Sequence, residues 1–228
     1  HLEETIQSVL NQTYKNIEYI ILDGNSQDSS LEIIKKYEKV IDYWATEPDN
    51  SLWDGFNKAL TLAHGDLIGI INSDDVYLPN AVETIVKYYE KNKDMDFIFG
   101  SVKKHWGVLH GYKPWKIKWS WGFYTSHSTG FFIKREASKK VGLYNTQYRY
   151  HADYDYFYRM IAIHKLKGLS TKKDELIGIF RRGGFSSTIP FYERFGEEIK
   201  IRLNNKQNKI LILIIFMWKF LRHLKELK

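Results

Sequence analysis

Carboxylates recur at one kind of place in this sequence, just past short apolar runs. Asp23 follows the run 17–22, Glu47 and Asp49 follow 41–46, and Asp74 with Asp75 follows 67–71. Crowded carboxylates raise one another's pKa, so a shared cluster is costly without a cation among them. A hard divalent ion bridging carboxylate and phosphate oxygens meets that need. Taken singly, each acid has a plainer role. Asp23-Gly24 and Asp49-Asn50 form turns, and Asp74 and Asp75 cap the helix that follows. Their shared position at strand ends is what sets them apart. Further along, Asp153 and Asp155 fall at a helix start, where acids suit the macrodipole, and His127 lies in a polar loop. The chain has no cysteine, so a thiol nucleophile and cysteine-type zinc sites are excluded.

The elements that must position these acids alternate. Leu2, Ile6, Val9 and Leu10 have helical spacing, and 17–22 reads as a buried parallel strand. Ser29 with Glu32 forms a capping-box pattern ahead of a helix. A strand over 41–46 leads through Pro48 to a helix over 52–64, with Gly65 placed as its C-terminal cap. Strand 67–71, helix 80–91 and strand 97–102 continue the alternation, which predicts an α/β fold with a mostly parallel sheet covered on both faces. In such sheets ligands sit beyond the carboxyl ends of the strands. After residue 103 the rhythm gives way to an aromatic- and glycine-rich stretch, an apolar patch at 130–133 and a helix over 151–163. Neither a G-x-G-x-x-G nor a G-x-x-x-x-G-K-[ST] phosphate loop occurs.

With 228 residues and 43% apolar content the chain suits one domain, 1–198, followed by a basic tail, 199–228. The tail holds eight basic residues against the single acid Glu226, which accounts for the whole net charge of +7 and leaves the body neutral. No nucleic-acid partner is therefore expected of the body. The unbroken apolar run 210–218 is too short to span a bilayer. Beyond it Lys219, Arg222 and Lys225 lie opposite Leu221, Leu224 and Leu227, the pattern of a helix in an anionic membrane interface or, alternatively, of one docked on its own domain or on a second subunit.

A set of motifs carries a resemblance. Leu10-Asn11-Gln12-Thr13-Tyr14, Asp23-Gly24-Asn25-Ser26-Gln27-Asp28, Glu47-Pro48-Asp49, Trp53-Asp54-Gly55-Phe56-Asn57-Lys58, Gly65-Asp66 and Asn72-Ser73-Asp74-Asp75 follow in order. Ser126-His127-Ser128-Thr129-Gly130-Phe131-Phe132, Ala152-Asp153-Tyr154-Asp155 and Gly183-Gly184-Phe185-Ser186 continue it. Together they resemble the family 2 glycosyltransferases of the GT-A fold, over roughly residues 2 to 188.

The resemblance implies a three-layer αβα architecture and a transferase that moves a sugar from a nucleoside diphosphate sugar to an acceptor hydroxyl with inversion. It implies surface glycan synthesis on a glycan or lipid-linked acceptor, in the cytoplasm or on the cytoplasmic face of a membrane. Asp23 would help hold the base, Asp54, Asn57, Asn72, Asp74 and His127 would line the donor, and Asp153 would be the base. Asn72, Ser73 and Asp74 stand at the D-x-D motif, with Asn for the first acid. Asp74, helped by Asp75, would then hold Mn or Mg. Arg181 and Arg182 are either a solvated basic pair or a clamp on the diphosphate. Trp115, Trp119, Trp121, Phe123 and Tyr124 lie where an acceptor half belongs, or serve as core. Family members normally begin with a strand ahead of the helix that here starts near Leu2, so an alternative is a truncated, non-catalytic nucleotide-binding or assembly module.

Overall fold

The computed structural model describes residues 1–119, 123–181 and 191–222. Helix α1 (Leu2–Leu10) buries Thr5, Ile6 and Val9, as the helical spacing predicts. Strand β1 (Ile20–Asp23) pairs in parallel with β2 (Tyr43–Thr46), with α2 (Ser30–Lys36) between them in sequence. Helix α3 (Leu52–Leu62) precedes β3 (Leu67–Gly69), and the two-residue β4 (Val76–Tyr77) precedes α4 (Ala81–Lys91). Then come β5 (Phe97–Phe99), β6 (Ser101–Lys104), β7 (Gly107–Leu109), β8 (Phe131–Lys134), α5 (Arg135–Val141) and α6 (Ala152–Tyr158). Strands β9 (Gly168–Ser170) and β10 (Leu176–Ile179) and helices α7 (Phe191–Asn204) and α8 (Lys209–Arg222) complete the described chain.

The strands form three sheets, ordered β1-β2, β4-β10-β6-β7 and β3-β8-β5-β9. The pairings β1-β2, β5-β9 and β6-β10 are parallel, whereas β3-β8, β5-β8, β4-β10 and β6-β7 are antiparallel. The α/β layering holds, but the described sheet is mixed, because β8 enters between β3 and β5 against both. Among the described residues no pairing joins β1 to β3, so the β1-β2 pair stands as its own ribbon. Strand β1 is half-buried up to Asp23, rather than the buried strand that the apolar run suggests.

Period-two alternation in β5 and β8 builds the two faces. Phe97, Phe99, Phe131 and Ile133 point into one core with Trp53, Phe56, Tyr154 and Phe157. Ile98 and Phe132 point into the other, with Val9, Tyr77, Ala81, Ile85 and Ile177. Two apolar layers on opposite faces of one sheet are the three-layer arrangement.

Local readings shift in four places. The stretch 97–102 is two strands in different sheets, broken at Gly100, where a Cβ would sit 1.9 Å from Ile177 Cδ1. Ser29 precedes α2 without a side-chain cap; instead the Asp28 carboxylate accepts from the Ser30 N–H at 2.9 Å. Helix α3 ends at Leu62 with an extended Ala63 after it, so Gly65 does not cap it. The boundary expected after residue 198 falls inside α7, which is continuous through Asn204.

Candidate functional site

Asp23 closes β1 with its carboxylate almost buried and already committed. Oδ2 accepts from Thr46 Oγ1 at 2.6 Å and from the Ser26 N–H at 3.0 Å. Burial pushes its pKa up, but the hydrogen bonds from Ser26 and Thr46 outweigh this and hold it below the usual aspartate value. The turn beyond it is left-handed at Asn25 (φ 66°), a conformation asparagine tolerates.

The second group of acids has its own cation. Lys58 Nζ lies 2.8 Å from Asp49, 2.9 Å from Glu47 and 3.4 Å from Asp54. These contacts, that to Asp49 foremost, raise its pKa. Helix α3 makes this possible: Lys58 is one turn after Asp54, and the Ser51 side chain caps the helix by accepting from the Asp54 N–H at 3.2 Å. Gly55 clears the space, since a Cβ there would meet Asp49 Oδ2 at 2.8 Å. Part of the charge that a metal would offset at these acids is thus offset by the protein itself. Lys58 was legible in sequence only as the base four residues after Asp54.

Asn57, expected to face the donor, instead braces the fold. Its side chain donates to the Tyr144 carbonyl at 2.9 Å and accepts from the Tyr144 N–H at 2.8 Å. The Oδ1 acceptor and one Nδ2 donor are committed to backbone, which leaves one Nδ2 hydrogen to offer.

The turn after β3 is fixed on every side. The Thr5 hydroxyl of α1 lies 2.9 Å from the Ser73 carbonyl and 2.7 Å from that of Asp75, gripping the turn on both sides of Asp74. Gln12, 1% exposed, donates to the Leu78 carbonyl and accepts from the Val82 N–H, which ties α1 to the start of α4. Asn72 donates to Ser128 Oγ at 3.2 Å. Asp75 is 1% exposed; its carboxylate accepts from the Thr129 hydroxyl, from Ser128 Oγ at 3.4 Å and from the Arg181 N–H at 3.0 Å. Burial raises its pKa. A carboxylate so engaged staples β4, the 126–129 loop and the chain after β10, which leaves the expected helper of Asp74 occupied by protein groups in this structure.

Asp74 differs from all its neighbours. It is half-buried, and among the described residues no hydrogen bond or ion pair reaches its carboxylate. His127 lies on the same turn's flank, within electrostatic reach of Asp75 and edge-on to Phe180 at 6.4 Å. Arg181 is not a free clamp: its guanidinium pairs with Glu4 at 2.6 Å and touches His1. Arg182 and the glycine pair after it lie outside the described residues.

Asp153 is the second residue of α6 and 8% exposed. One oxygen accepts from the Tyr154 N–H at 2.8 Å, and among the described residues the other takes only a long contact, 3.4 Å, from the Tyr124 hydroxyl. Burial, and then the Asp153 charge, keep the Tyr124 phenol protonated. The preceding loop is pinned by Glu197 of α7, whose carboxylate accepts from the N–H groups of Arg149, Tyr150 and His151 at 2.5 to 2.7 Å. Of the aromatic residues, Phe123 is core and Tyr124 packs on Phe99 and Phe157, whereas Trp115 and Trp119 are exposed and Trp121 lies outside the described residues.

Among the described residues no three histidine or acidic side chains are close enough to cage a metal. A Mg- or Mn-type ion needs less, since it is commonly held by one or two carboxylates with substrate phosphates and water completing the shell. The unengaged Asp74 carboxylate fits that role.

The description "Glycosyl transferase family 2" matches residues 1–160. The "uncharacterized glycosyltransferase MJ1057" of Methanocaldococcus jannaschii is 33% identical over 71% of this chain and 60% of its own length. An uncharacterized glycosyltransferase of Haemophilus influenzae is 27% identical over 90% of this chain and 69% of its own. The chain therefore spans about three-fifths of the first relative and 55% of a third, from Rickettsia typhi. Among solved structures, S. aureus TarS 1-349 in complex with UDP-GlcNAc has a TM-score of 0.70 at 15% identity, over 99% of this chain and 69% of that one. The mannosyltransferase PcManGT from Pyrobaculum calidifontis, in complex with GDP-Man and Mn2+, has a TM-score of 0.63 at 14% identity, over 99% and 66%. At these identities the likeness is one of fold.

Proposed function

Because this chain belongs to glycosyl transferase family 2, we propose that it moves a sugar from a nucleoside diphosphate donor to an acceptor hydroxyl with inversion. The observation that carries this reading is Asp74: a half-buried carboxylate without a partner among the described residues, on a turn whose flanking groups are all tied down. A site held that firmly around one uncommitted acid is preorganised for a ligand. The solved neighbours captured with UDP-GlcNAc and with GDP-Man support a nucleotide sugar as that ligand.

The roles follow from what each group has left to offer. Asp23, held ionised by Thr46 and Ser26, presents an acceptor to the base or ribose of the donor. Asp54 and Asn72 shape the rims of the β2-α3 and β3-β4 loops, and His127 adds a donor beside the Asp74 turn. Asp74 would hold Mn or Mg, which when bound stabilises the charge developing on the diphosphate leaving group. Asp153 keeps one oxygen only weakly engaged and takes the acceptor proton as its oxygen attacks the anomeric carbon from the opposite face. We place this chemistry on the cytoplasmic side of a membrane, in the building of a surface glycan on a glycan or lipid-linked acceptor.

The test is a screen of nucleoside diphosphate sugars by thermal shift with and without Mn or Mg, followed by transfer assays. Specific donor stabilisation whose metal-dependent part Asp74→Asn abolishes, with transfer that Asp153→Asn lowers by about 100-fold or more, is the expected result. Donor stabilisation without transfer to any acceptor would assign the chain instead to the non-catalytic binding module.

A further inference from the structure

Helix α8 has two apolar faces, and among the described residues one of them is packed. Inward, α8 buries Ile212 and Ile215, and Phe216 stacks on Phe195 of α7 at 5.2 Å. Lys219, assigned to the polar face by sequence spacing, points inward too. It is 8% exposed and donates to Glu198, whose other oxygen binds Arg202 at 2.7 Å. The helix is thus docked on its own domain and held by a buried charge cluster, which settles the orientation that the sequence left open. Outward, Ile210, Leu213, Ile214, Met217, Trp218 and Leu221 are between 47 and 71% exposed. Docking has already been achieved by the inner face, so the outer one contributes nothing to it.

We propose that this outer face of α8 seats the protein on an anionic bilayer surface, with the helix parallel to the membrane plane. Length fits lying rather than crossing. Fourteen residues make a helix of about 21 Å, and no described helix is long and apolar enough to cross a membrane. Charge selects the occupant. Helix α8 contains no acid; Lys209 at one end and Arg222 at the other are exposed, as are Lys200 and Lys206 just before it. A second copy packed through the same face about a two-fold axis would set Lys209 against Arg222, like against like, whereas anionic headgroups match the cations at both ends of the helix. Trp218, with the Arg222 guanidinium 5.5 Å from its ring, has the apolar body and polar rim that suit the headgroup level. The inference stands on α8 and does not depend on which sugar is moved.

Flotation of the whole chain with phosphatidylcholine vesicles, with and without about one-quarter phosphatidylglycerol, tests it. Binding to the mixed vesicles is expected, with little to phosphatidylcholine alone. Leu213→Glu with Trp218→Glu should lower partitioning by about tenfold or more. Lys209→Gln with Arg222→Gln should lower it by about fivefold per charge removed. Trp106→Glu, an exposed aromatic far along the chain, should change nothing. All these side chains are exposed, so the melting temperature and any donor-induced shift should stay at the parent values, which separates failure here from failure of the transferase reading. Absence of binding to mixed vesicles would overturn the proposal. So would binding indifferent to the Leu213 and Trp218 changes, or a solution dimer that those changes convert to monomer.

Discussion

At the scale of single residues, what matters is which carboxylates are already committed. Asp75 and Asp74 are neighbours in sequence with opposite roles. The first is buried and hydrogen-bonded to three groups, the second is not engaged by any described residue. Asp75→Ala should therefore be strongly destabilising, because Thr129, Ser128 and the Arg181 N–H lose their acceptor at about 1–3 kcal/mol per stranded buried group. Asp74→Asn should leave the melting temperature near its parent value and abolish the metal-dependent part of any donor shift. Thermal denaturation of the two variants, with and without Mn, separates the roles. For Asp153→Asn, transfer should fall by about 100- to 10,000-fold while donor stabilisation persists, since the residue contacts the acceptor side of the proposed reaction.

Elements set which of these residues can meet. Helix α3 is the clearest case: capped by Ser51, it carries Asp54 and Lys58 on one face and turns Lys58 back onto Glu47 and Asp49 in the loop before it. Lys58→Met should leave those three carboxylates facing one another. Thermal denaturation should then show a stability loss that 1 M salt partly relieves. Ser51→Ala should cost about 1 kcal/mol through the lost cap, read as a shift in the denaturation midpoint. Gly100 belongs to this scale as well. It lets one apolar run serve two sheets, which periodicity in 97–102 has no means to signal, because the clash it avoids is with Ile177, distant in sequence.

Over the whole molecule, the tail is bound by charge as well as by packing. Glu198, 3% exposed, faces both Arg202 and Lys219. Burial raises its pKa, but the two cations outweigh burial and hold it below the ordinary glutamate value. Lys219 shares that single carboxylate with Arg202, so for it burial wins and its pKa falls. A carboxylate whose folded pKa is depressed contributes stability above its unfolded pKa and loses it as pH falls through the folded value. The α7-α8 unit should accordingly loosen below about pH 4, detectable as faster amide exchange in α8 ahead of the central strands. Glu198→Ala, which strands two buried cations, should cost about 3–5 kcal/mol at neutral pH.

The sequence by itself determined the alternation of strands and helices, the placing of acids at strand ends and the family, because periodicity, turn chemistry and motif order are local properties. It also located the basic tail and its apolar run. Only the tertiary structure decided which acids remain available. Lys58 shared among three carboxylates, Asn57 bound to the Tyr144 backbone and Asp75 closed in by Thr129 are contacts whose partners no spacing rule names. The same holds for Lys219, which helical spacing assigns to solvent and Glu198 draws inward. A carboxylate's ability to bind a ligand depends on what it has not already bound, and that is settled only when the chain is folded around it.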